Sequence, residues 1–333
     1  MTEKSFGMTR RQCLATAGAG IVAAGLGGMG GALAQLATIR QGYQTNMWGM
    51  PTYYLMRSGL LEKRGLKFEE FAVPSGNLTM QQMVAQQVDL GTYAAQSFIL
   101  GHDKGGMVGI AVIEHVGKTA AVLARKDLGI TKVADLKGKK IGNQVGASTA
   151  NIFANTIAPS AGLQKSDWQE VRMNVNDMVA ALAAKTIDAA VTVEPYNAIA
   201  EADGIANIIT DFSSFDKMPV FMVATSEFVE KNPDTIVAYL KAWLDVAQDF
   251  KAQPKKVADV IHKFYTEKGY KMSLETFQKA LARVEVSPGF PPNLEPYMKE
   301  QAGILIAAKR ITRVPDWSKA LRPEFMEKAR TGA

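Results

Sequence analysis

The sequence predicts an α/β protein built from two doubly wound units, with the second unit inserted into the first. Strand-like runs alternate with helical runs from residue 39 onwards, which is the pattern of βαβ units. Residues 107–113 (MVGIAVI) form a continuous apolar run, as expected for a buried strand of a parallel sheet. A second series of strand-like and helical runs interrupts the first, and helical patterns then continue to the end of the chain.

The elements of the first series have clear boundary signals. Pro51 begins a helix and Gly65 ends it, in keeping with the preference for proline at a helix start and glycine just past its end. The predicted strands of this series are residues 38–44, 67–73, 88–93 and 107–113, and the further predicted helices are residues 78–87 and 97–104.

The second series gives the protein its predicted second lobe. Its predicted strands are residues 139–143, 169–173, 188–193 and 205–210, and its predicted helices are residues 149–161 and 177–185. A buried strand at 218–224 then returns to the first series, and residues from 232 onwards are predicted to be helical. The chain therefore crosses twice between two hinged lobes. Lobe 1 is predicted to comprise residues 36–122 and 222–333, and lobe 2 residues 123–221.

The N-terminus has the layout of an export signal. Arg10 and Arg11 precede an uncharged, Ala/Gly-rich run, and Ala32-Leu33-Ala34 offers a small-x-small cleavage site. The paired arginines predict that residues 1–34 are a signal of the twin-arginine type, so the mature protein is expected in the periplasm. The alternative is an uncleaved membrane anchor, but the glycine-rich run is weakly apolar for a spanning helix.

Composition narrows the function classes. The formal net charge is +6, and the lysines and arginines are scattered among acidic residues, whereas nucleic-acid binders usually concentrate them on one stripe. Cys13, in the predicted signal, is the single cysteine, so the mature chain has no thiol nucleophile and no thiolate metal site. His102, His115 and His262 are far apart in sequence. We therefore expect no metal, no cofactor, no nucleic-acid partner and no catalysis.

The candidate binding residues lie in the loops that follow the predicted strands. Ligands of open α/β sheets bind beyond the carboxyl ends of the strands, where such loops converge. These loops supply amides, hydroxyls, aromatic rings and one acid, which suits the orientation of one small solute. The predicted ligand-binding residues are Asn46, Trp48, Ser75, Gly76, Asn77, Gln96, Ser148, Thr149, Glu194 and Tyr196.

Several of these residues have a purely structural alternative. Ser148 and Thr149 follow Gly146 at a predicted helix start, where free N–H groups favour an anionic ligand, but Ser148 could equally be only an N-cap. The same two interpretations apply to Ser75 and its neighbours. Trp48 could stack on a ligand or pack at a lobe edge. Glu194 could hold a ligand amine or pair with a lysine at the surface.

Five segments in order resemble the ABC-transporter periplasmic solute-binding proteins of the nitrate/sulfonate/taurine type, which include binders of thiamine pyrimidine precursors. They are Pro74-Ser75-Gly76-Asn77, Val88-Asp89-Leu90-Gly91, Asp135 to Gly142 (DLKGKKIG) with Gly146-Ala147-Ser148-Thr149, Val193-Glu194-Pro195-Tyr196, and Thr225-Ser226-Glu227-Phe228 with Asn232-Pro233-Asp234. The resemblance covers residues 37–310.

The resemblance implies the type II periplasmic binding fold and a monomer that closes on a solute and delivers it to an ABC permease in the inner membrane. The implied ligands are sulfonates, taurine, nitrate or pyrimidines. The alternative is an enzyme, because the related pyrimidine-precursor synthases share this fold. Those enzymes use a reactive histidine and clustered cysteines. The absence of cysteine from the predicted mature chain argues against that alternative.

Overall fold

The computed structural model describes residues 36–270 and 272–332, and the predicted signal at residues 1–34 lies outside this part of the chain. The strands are β1 (Ile39–Gln44), β2 (Phe68–Val73), β3 (Leu90–Ala94), β4 (Val108–His115), β5 (Ala120–Arg125), β6 (Lys140–Asn143), β7 (Gln169–Arg172), β8 (Ala189–Val193), β9 (Ala206–Asp211), β10 (Pro219–Ala224) and β11 (Glu285–Gly289).

The helices account for most of the remaining ordered backbone. They are α1 (Met50–Arg57), α2 (Gly76–Val84), α3 (Ala95–Gly105), α4 (Ser148–Ile152), α5 (Ala158–Ser160), α6 (Met178–Ala183), α7 (Tyr196–Ala202), α8 (Ser226–Lys231), α9 (Pro233–Ala252), α10 (Pro254–Glu267), α11 (Leu274–Leu281), α12 (Leu294–Ala307), α13 (Trp317–Ala320) and α14 (Pro323–Thr331). A π-helical turn, Phe153–Ile157, joins α4 to α5 in one continuous helical run. No helix within the described residues is long and apolar enough to cross a bilayer.

Two sheets organise the molecule. The first has the order β11-β4-β10-β3-β1-β2 and the second β7-β6-β8-β5-β9. In each sheet four strands run in one direction: β1, β2, β3 and β4 in the first, and β6, β7, β8 and β9 in the second. One antiparallel strand is inserted among them, β10 between β3 and β4 and β5 between β8 and β9, and β11 is a second antiparallel strand at the edge of the first sheet. We call the parts built around these sheets the first and second lobe. This is the predicted fold class, two doubly wound α/β lobes with a helical C-terminal region.

The inserted strands are the ones that follow a crossing between the lobes. The chain leaves β4 for β5 through residues 116–119 and returns from β9 to β10 through residues 212–218. The predicted lobe boundaries, after residues 122 and 221, fall inside β5 and β10, a few residues beyond these two crossings. Each crossing strand belongs wholly to the lobe that it enters.

The two crossing segments lie against each other. Gly117 donates its N–H to the Lys217 carbonyl at 3.0 Å, and its own carbonyl accepts from Phe212 N–H at 3.1 Å. A Cβ atom on Gly117 would stand 2.3 Å from the Asp216 carbonyl oxygen, so the close approach of the two segments requires glycine.

Two sequence predictions were wrong in detail. Residues 107–113 were expected to belong to a parallel sheet, but β4 runs antiparallel to both of its neighbours, β10 and β11. A continuous apolar run reports burial of a strand, not the direction of the strands beside it. The C-terminal part was expected to be entirely helical, but β11 lies there as an edge strand, where Pro288 is tolerated because an edge strand has free N–H positions.

Candidate ligand-binding cleft

A cavity between the two lobes brings together loops from both sheets. It is lined by polar side chains, one aromatic ring and a few small apolar groups. The lining residues are Gln44, Asn46, Trp48, Ser75, Gly76, Asn77, Ala94, Ser97, Gln144, Ala147, Ser148, Thr149, Val175, Val191 and Val193. Larger grooves exist, such as one of about 690 Å³ between α9, α10 and α11, but that groove belongs to the first lobe alone.

The topology explains why these residues meet. Gln44, Ala94 and Val193 are the last residues of β1, β3 and β8, and Ser75 and Gln144 follow β2 and β6 closely. The carboxyl ends of the parallel strands of both sheets therefore face one space, which is where α/β folds place their ligands.

The helices that begin at this cavity present free backbone donors to it. The N-termini of α2, α3 and the helical run from α4 begin at Ser75, Ala94 and Ala147, and none of these N-cap residues makes a side-chain capping hydrogen bond. The first N–H groups of a helix have no intrahelical partner, and the helix dipole makes this end electropositive.

Ser148 adds a side-chain donor with no partner. The residue is only 5% exposed, and its hydroxyl has no hydrogen-bond partner within the described part of the chain. A buried hydroxyl without a partner carries a desolvation cost. A ligand atom accepting from Ser148 Oγ would remove that cost.

The lining is polar but uncharged. Among the described residues that form the cavity wall there is no Asp, Glu, Lys, Arg or His. No group of three or more His, Cys, Asp or Glu residues within 36–270 and 272–332 is arranged to hold a metal ion. The arrangement can orient a solute through hydrogen bonds and helix N-termini, and its wall offers no general base or nucleophilic thiol.

Seven of the ten residues predicted to bind ligand line this cavity. They are Asn46, Trp48, Ser75, Gly76, Asn77, Ser148 and Thr149. The side chains of Asn46 and Trp48 are already engaged by the protein. The Asn46 carboxamide accepts from Trp48 N–H at 3.0 Å and donates to the Pro74 carbonyl at 3.1 Å, while Trp48 Nε1–H donates to Thr119 Oγ1 at 2.6 Å. These bonds fix the aromatic wall.

Glu194 does not line the cavity. Its carboxylate is fully buried, accepts from Arg283 Nη1 at 2.5 Å and from Ala198 N–H at 3.1 Å, and so pairs with a partly exposed arginine, not with a surface lysine. Burial raises the pKa of Glu194 to about 7, against the opposing influence of Arg283. The sequence signal, an acid directly after a strand, cannot distinguish a ligand contact from a group that ties two lobes together.

Gln96 and Tyr196 also lie outside the lining. Tyr196 is buried, with its hydroxyl 3.4 Å from that of Tyr270. Gln96 donates to Gln301 Oε1 at 2.8 Å and accepts from Asn151 Nδ2 at 2.6 Å. Gln96 follows the strand end by two residues, and one residue further along α3 Ser97 takes the place at the wall.

Sequence reasoning missed several lining residues, above all Gln44, Ser97 and Gln144. Gln144 is the first residue after β6, so the strand-end rule used for the other loops identifies it. Gln44 is the last residue of β1, and it was missed because the rule was applied only to residues that follow a strand.

Glu114 of β4 is a separate feature. It is fully buried in β4, and neither carboxylate oxygen has a hydrogen-bond partner among the described residues. Its strand neighbours in register are Val220 and Val286. Burial raises the pKa of Glu114 well above its usual value, because the desolvated site favours the neutral form of the carboxyl.

The lobes touch directly across the cavity. Gln144 Nε2 of the second lobe donates to Ser75 Oγ of the first at 2.7 Å, and Asn151 Nδ2 donates to Gln96 Oε1. The cavity volume is about 30 Å³, far below the roughly 300–1,000 Å³ of typical ligand pockets. The structure therefore represents a closed arrangement of the lobes.

Residues 46–257 match the NMT1/THI5-like family. The chain belongs to this family. A candidate binding protein of Brucella abortus is 32% identical over 254 residues, which cover 74% of this chain and 77% of that protein. A candidate aliphatic sulfonates-binding protein of Escherichia coli is 29% identical over 58% of this chain and 61% of that protein.

Solved structures show the same fold within and beyond binding proteins. The alkanesulfonate-binding protein of Xanthomonas axonopodis pv. citri, bound to MOPS, aligns with a TM-score of 0.76 at 18% identity, covering 87% of this chain and 99% of that one. A desulfurization enzyme aligns with a TM-score of 0.68 at 13% identity, over 89% of this chain and 99% of that one. The fold of the NMT1/THI5-like chain is therefore that of the periplasmic binding proteins, and the same fold also serves catalysis.

Proposed function

We propose that this protein is the exported solute-binding component of an ABC importer and that its ligand is a small organic anion with a sulfonate-type head group. The observation that supports this best is the convergence of three uncapped helix N-termini and the buried, unpartnered Ser148 hydroxyl on one uncharged cavity. Backbone N–H groups at helix N-termini are well suited to bind anions.

The absence of charged groups from the described cavity wall favours a singly charged head group. Removing a doubly charged phosphate from water without a lysine or arginine partner is costlier than removing a monoanion such as a sulfonate. The sulfonate class also agrees with the name of the Escherichia coli relative. Nitrate and pyrimidine-like ligands are the alternatives within the same cleft.

Binding proceeds by movement of the lobes about the two crossing segments. A complete organic solute does not fit in about 30 Å³, so the lobes must separate to admit it. A ligand held by α2 and α3 of the first lobe and by the start of α4 of the second favours the closed state through contacts with both. The closed form is then the one that the permease recognises.

The cellular setting follows from the same interpretation. The predicted signal at residues 1–34, with Arg10 and Arg11, exports the chain to the periplasm, where the mature protein acts as a monomer. A candidate ABC transporter periplasmic binding protein of Brachyspira hyodysenteriae, 29% identical over 69% of this chain, supports this setting.

A binding role without catalysis fits the cavity better than the enzyme alternative does. Cys13, the single cysteine, precedes the described residues, and the described wall carries no acid, histidine or lysine. The desulfurization enzyme shows that the fold permits catalysis, so the absence of catalysis stays part of the proposal.

The test is a thermal-shift and calorimetric screen of the exported protein against pairs of charged and neutral analogues, such as ethanesulfonate with ethanesulfonamide. Nitrate, taurine, aromatic carboxylates and a thiamine pyrimidine complete the panel. A ligand at 100 times its dissociation constant adds about 2.7 kcal/mol to the free energy of unfolding. Stabilisation by the sulfonate and not by its amide is expected. Stabilisation by neutral compounds alone would contradict the anion site.

A further inference from the structure

Four polar side chains form a continuous hydrogen-bonded chain from the crossing segment to the second lobe. Gln301 Nε2 of α12 donates to Asp216 Oδ2 at 3.3 Å, Gln96 Nε2 of α3 donates to Gln301 Oε1 at 2.8 Å, and Asn151 Nδ2 of α4 donates to Gln96 Oε1 at 2.6 Å. We call Asp216, Gln301, Gln96 and Asn151 the closure chain. Its last bond joins the two lobes, and none of its members lines the cavity.

Burial makes these bonds difficult to replace. Asp216, Gln301 and Gln96 are 8%, 4% and 1% exposed. A buried amide that loses its partner pays its full desolvation cost, because little water can reach it. The amides of Gln301 and Gln96 are therefore each held in one orientation by their neighbours.

The acid at one end sets the direction of every bond. Asp216 already accepts from Met218 N–H at 2.7 Å and from the Tyr297 hydroxyl at 2.9 Å. An ionised carboxylate only accepts, so Gln301 must turn its NH₂ group towards Asp216 and its oxygen towards Gln96. Gln96 must then turn its NH₂ group towards Gln301, which leaves its oxygen facing the second lobe.

We propose that Asp216 and Gln301 are positioning residues for lobe closure: they preset Gln96 Oε1 as the acceptor that receives Asn151 when the second lobe closes. The proposal deepens the proposed function, since closure is the binding step. The same helical run carries Asn151, Ser148 and Thr149, and α3 carries both Gln96 and Ser97. The contact therefore brings together the helices that form the cavity wall.

The donor-to-acceptor direction of the closure chain gives a test that distinguishes the proposal from a role in packing alone. In Asp216→Asn the new amide can donate to Gln301 and reverse both glutamines, so that the NH₂ group of Gln96 meets the NH₂ group of Asn151. In Asn151→Asp an acceptor meets the Gln96 oxygen. In the double variant every hydrogen bond of the closure chain is reversed, and the new carboxylate at position 151 accepts from Gln96. The net charge is that of the native protein.

The measurement is the ligand-free ratio of closed to open molecules by single-molecule energy transfer. Dyes are attached through Lys63→Cys in the first lobe and Lys165→Cys in the second, in a chain carrying Cys13→Ser. Each single variant is expected to lower the ratio about fivefold, and the double variant to return within about twofold of the native value. Asn207→Asp, the same change at an exposed position on β9 of the second lobe, is the matched control and should leave the ratio unchanged.

Additive losses in the double variant, or a native chain with no detectable closed fraction, would overturn the proposal. If Asp216→Asn does not fold, Gln301→Met replaces it, because freeing Gln96 to rotate should reduce the Asn151→Asp penalty to less than about twofold. If Asn151→Asp still lowers the closed-to-open ratio about fivefold in the Gln301→Met protein, the proposal is also overturned. Because no ligand is present, failure of the sulfonate screen leaves this result interpretable.

Discussion

Arg283 Nη1 lies 2.5 Å from Glu194 Oε1 and joins the segment between α11 and β11 to the residue that follows β8 of the second sheet. Glu194 also accepts Met47 N–H through its backbone carbonyl at 2.9 Å and donates its own N–H to the Thr119 carbonyl at 2.9 Å. One buried residue thus connects the end of β1, a crossing segment and the C-terminal region.

The Glu194 pair predicts a pH-dependent cost for Arg283→Met. The pKa of Glu194 is raised from 4.5 to about 7, so the folded state holds its proton more tightly than the unfolded chain, and stability falls as pH rises across that interval. Without Arg283, whose charge lowers it, the pKa of Glu194 rises further. We expect a loss of about 1–2 kcal/mol at pH 8, limited because Arg283 is 37% exposed.

At pH 6 the loss should be smaller, because most Glu194 is then neutral. Urea unfolding of both chains at the two pH values measures it. Arg172→Met, at an exposed position on β7, is the control and should cost little at either pH. An equal loss for Arg283→Met at pH 6 and pH 8 would show that the pair is not titrating.

Glu114→Gln should stabilise the protein at high pH. The raised pKa of Glu114 means that the folded state keeps the proton while the unfolded chain loses it above about pH 4.5, so the native protein loses stability as pH rises. Glutamine has nearly the same shape and does not ionise. Unfolding curves from pH 4 to pH 9 should show that the free energy of unfolding of the variant rises relative to that of the native protein as pH rises. A difference between the two that does not change with pH would rule out a buried neutral carboxyl.

Gly117→Ala tests the contact between the crossing segments. The added Cβ would lie 2.3 Å from the Asp216 carbonyl, so the backbone must shift. We expect a loss of about 1–3 kcal/mol in the free energy of unfolding. Gly303→Ala is the matched control, because nothing lies within 4 Å of its Cβ position in α12 and alanine favours a helix by roughly 0.5–1 kcal/mol over glycine. Equal effects would mean that the crossing segments are not tightly packed.

Ser148→Asp should abolish anion binding. It places a negative charge where the helix N-termini and the free hydroxyl are proposed to meet the head group. A charge at the cavity wall should weaken sulfonate binding by more than about a hundredfold, which corresponds to about 2.8 kcal/mol or more. Calorimetry with the best ligand of the screen measures this, with Ser166→Asp at an exposed site of the second lobe as the control. Retained affinity would remove Ser148 from the site.

The loops at the strand ends show how much of the cavity could be predicted from the sequence. Ser75, Gly76, Asn77, Ser148 and Thr149 lie together at the cavity wall, because the position of a loop after a strand depends on local patterns that the sequence contains. That they bind the ligand stays a prediction. Glu194 and Tyr196 satisfy the same local rule, yet they contact Arg283 and Tyr270, which lie far along the chain. No local pattern distinguishes these two outcomes.

The sequence by itself determined the α/β class, the two nested lobes and most strand positions, because apolar periodicity and Pro/Gly boundaries are local properties of the chain. Tertiary structure alone decided that β4 has antiparallel neighbours, that β11 is a strand and that the buried Glu194 pairs with Arg283. It also decided that consecutive hydrogen bonds through Gln301 and Gln96 connect Asp216 to Asn151. These are contacts between residues as much as 205 positions apart, and their energies depend on which groups exclude water together, which only the folded chain establishes.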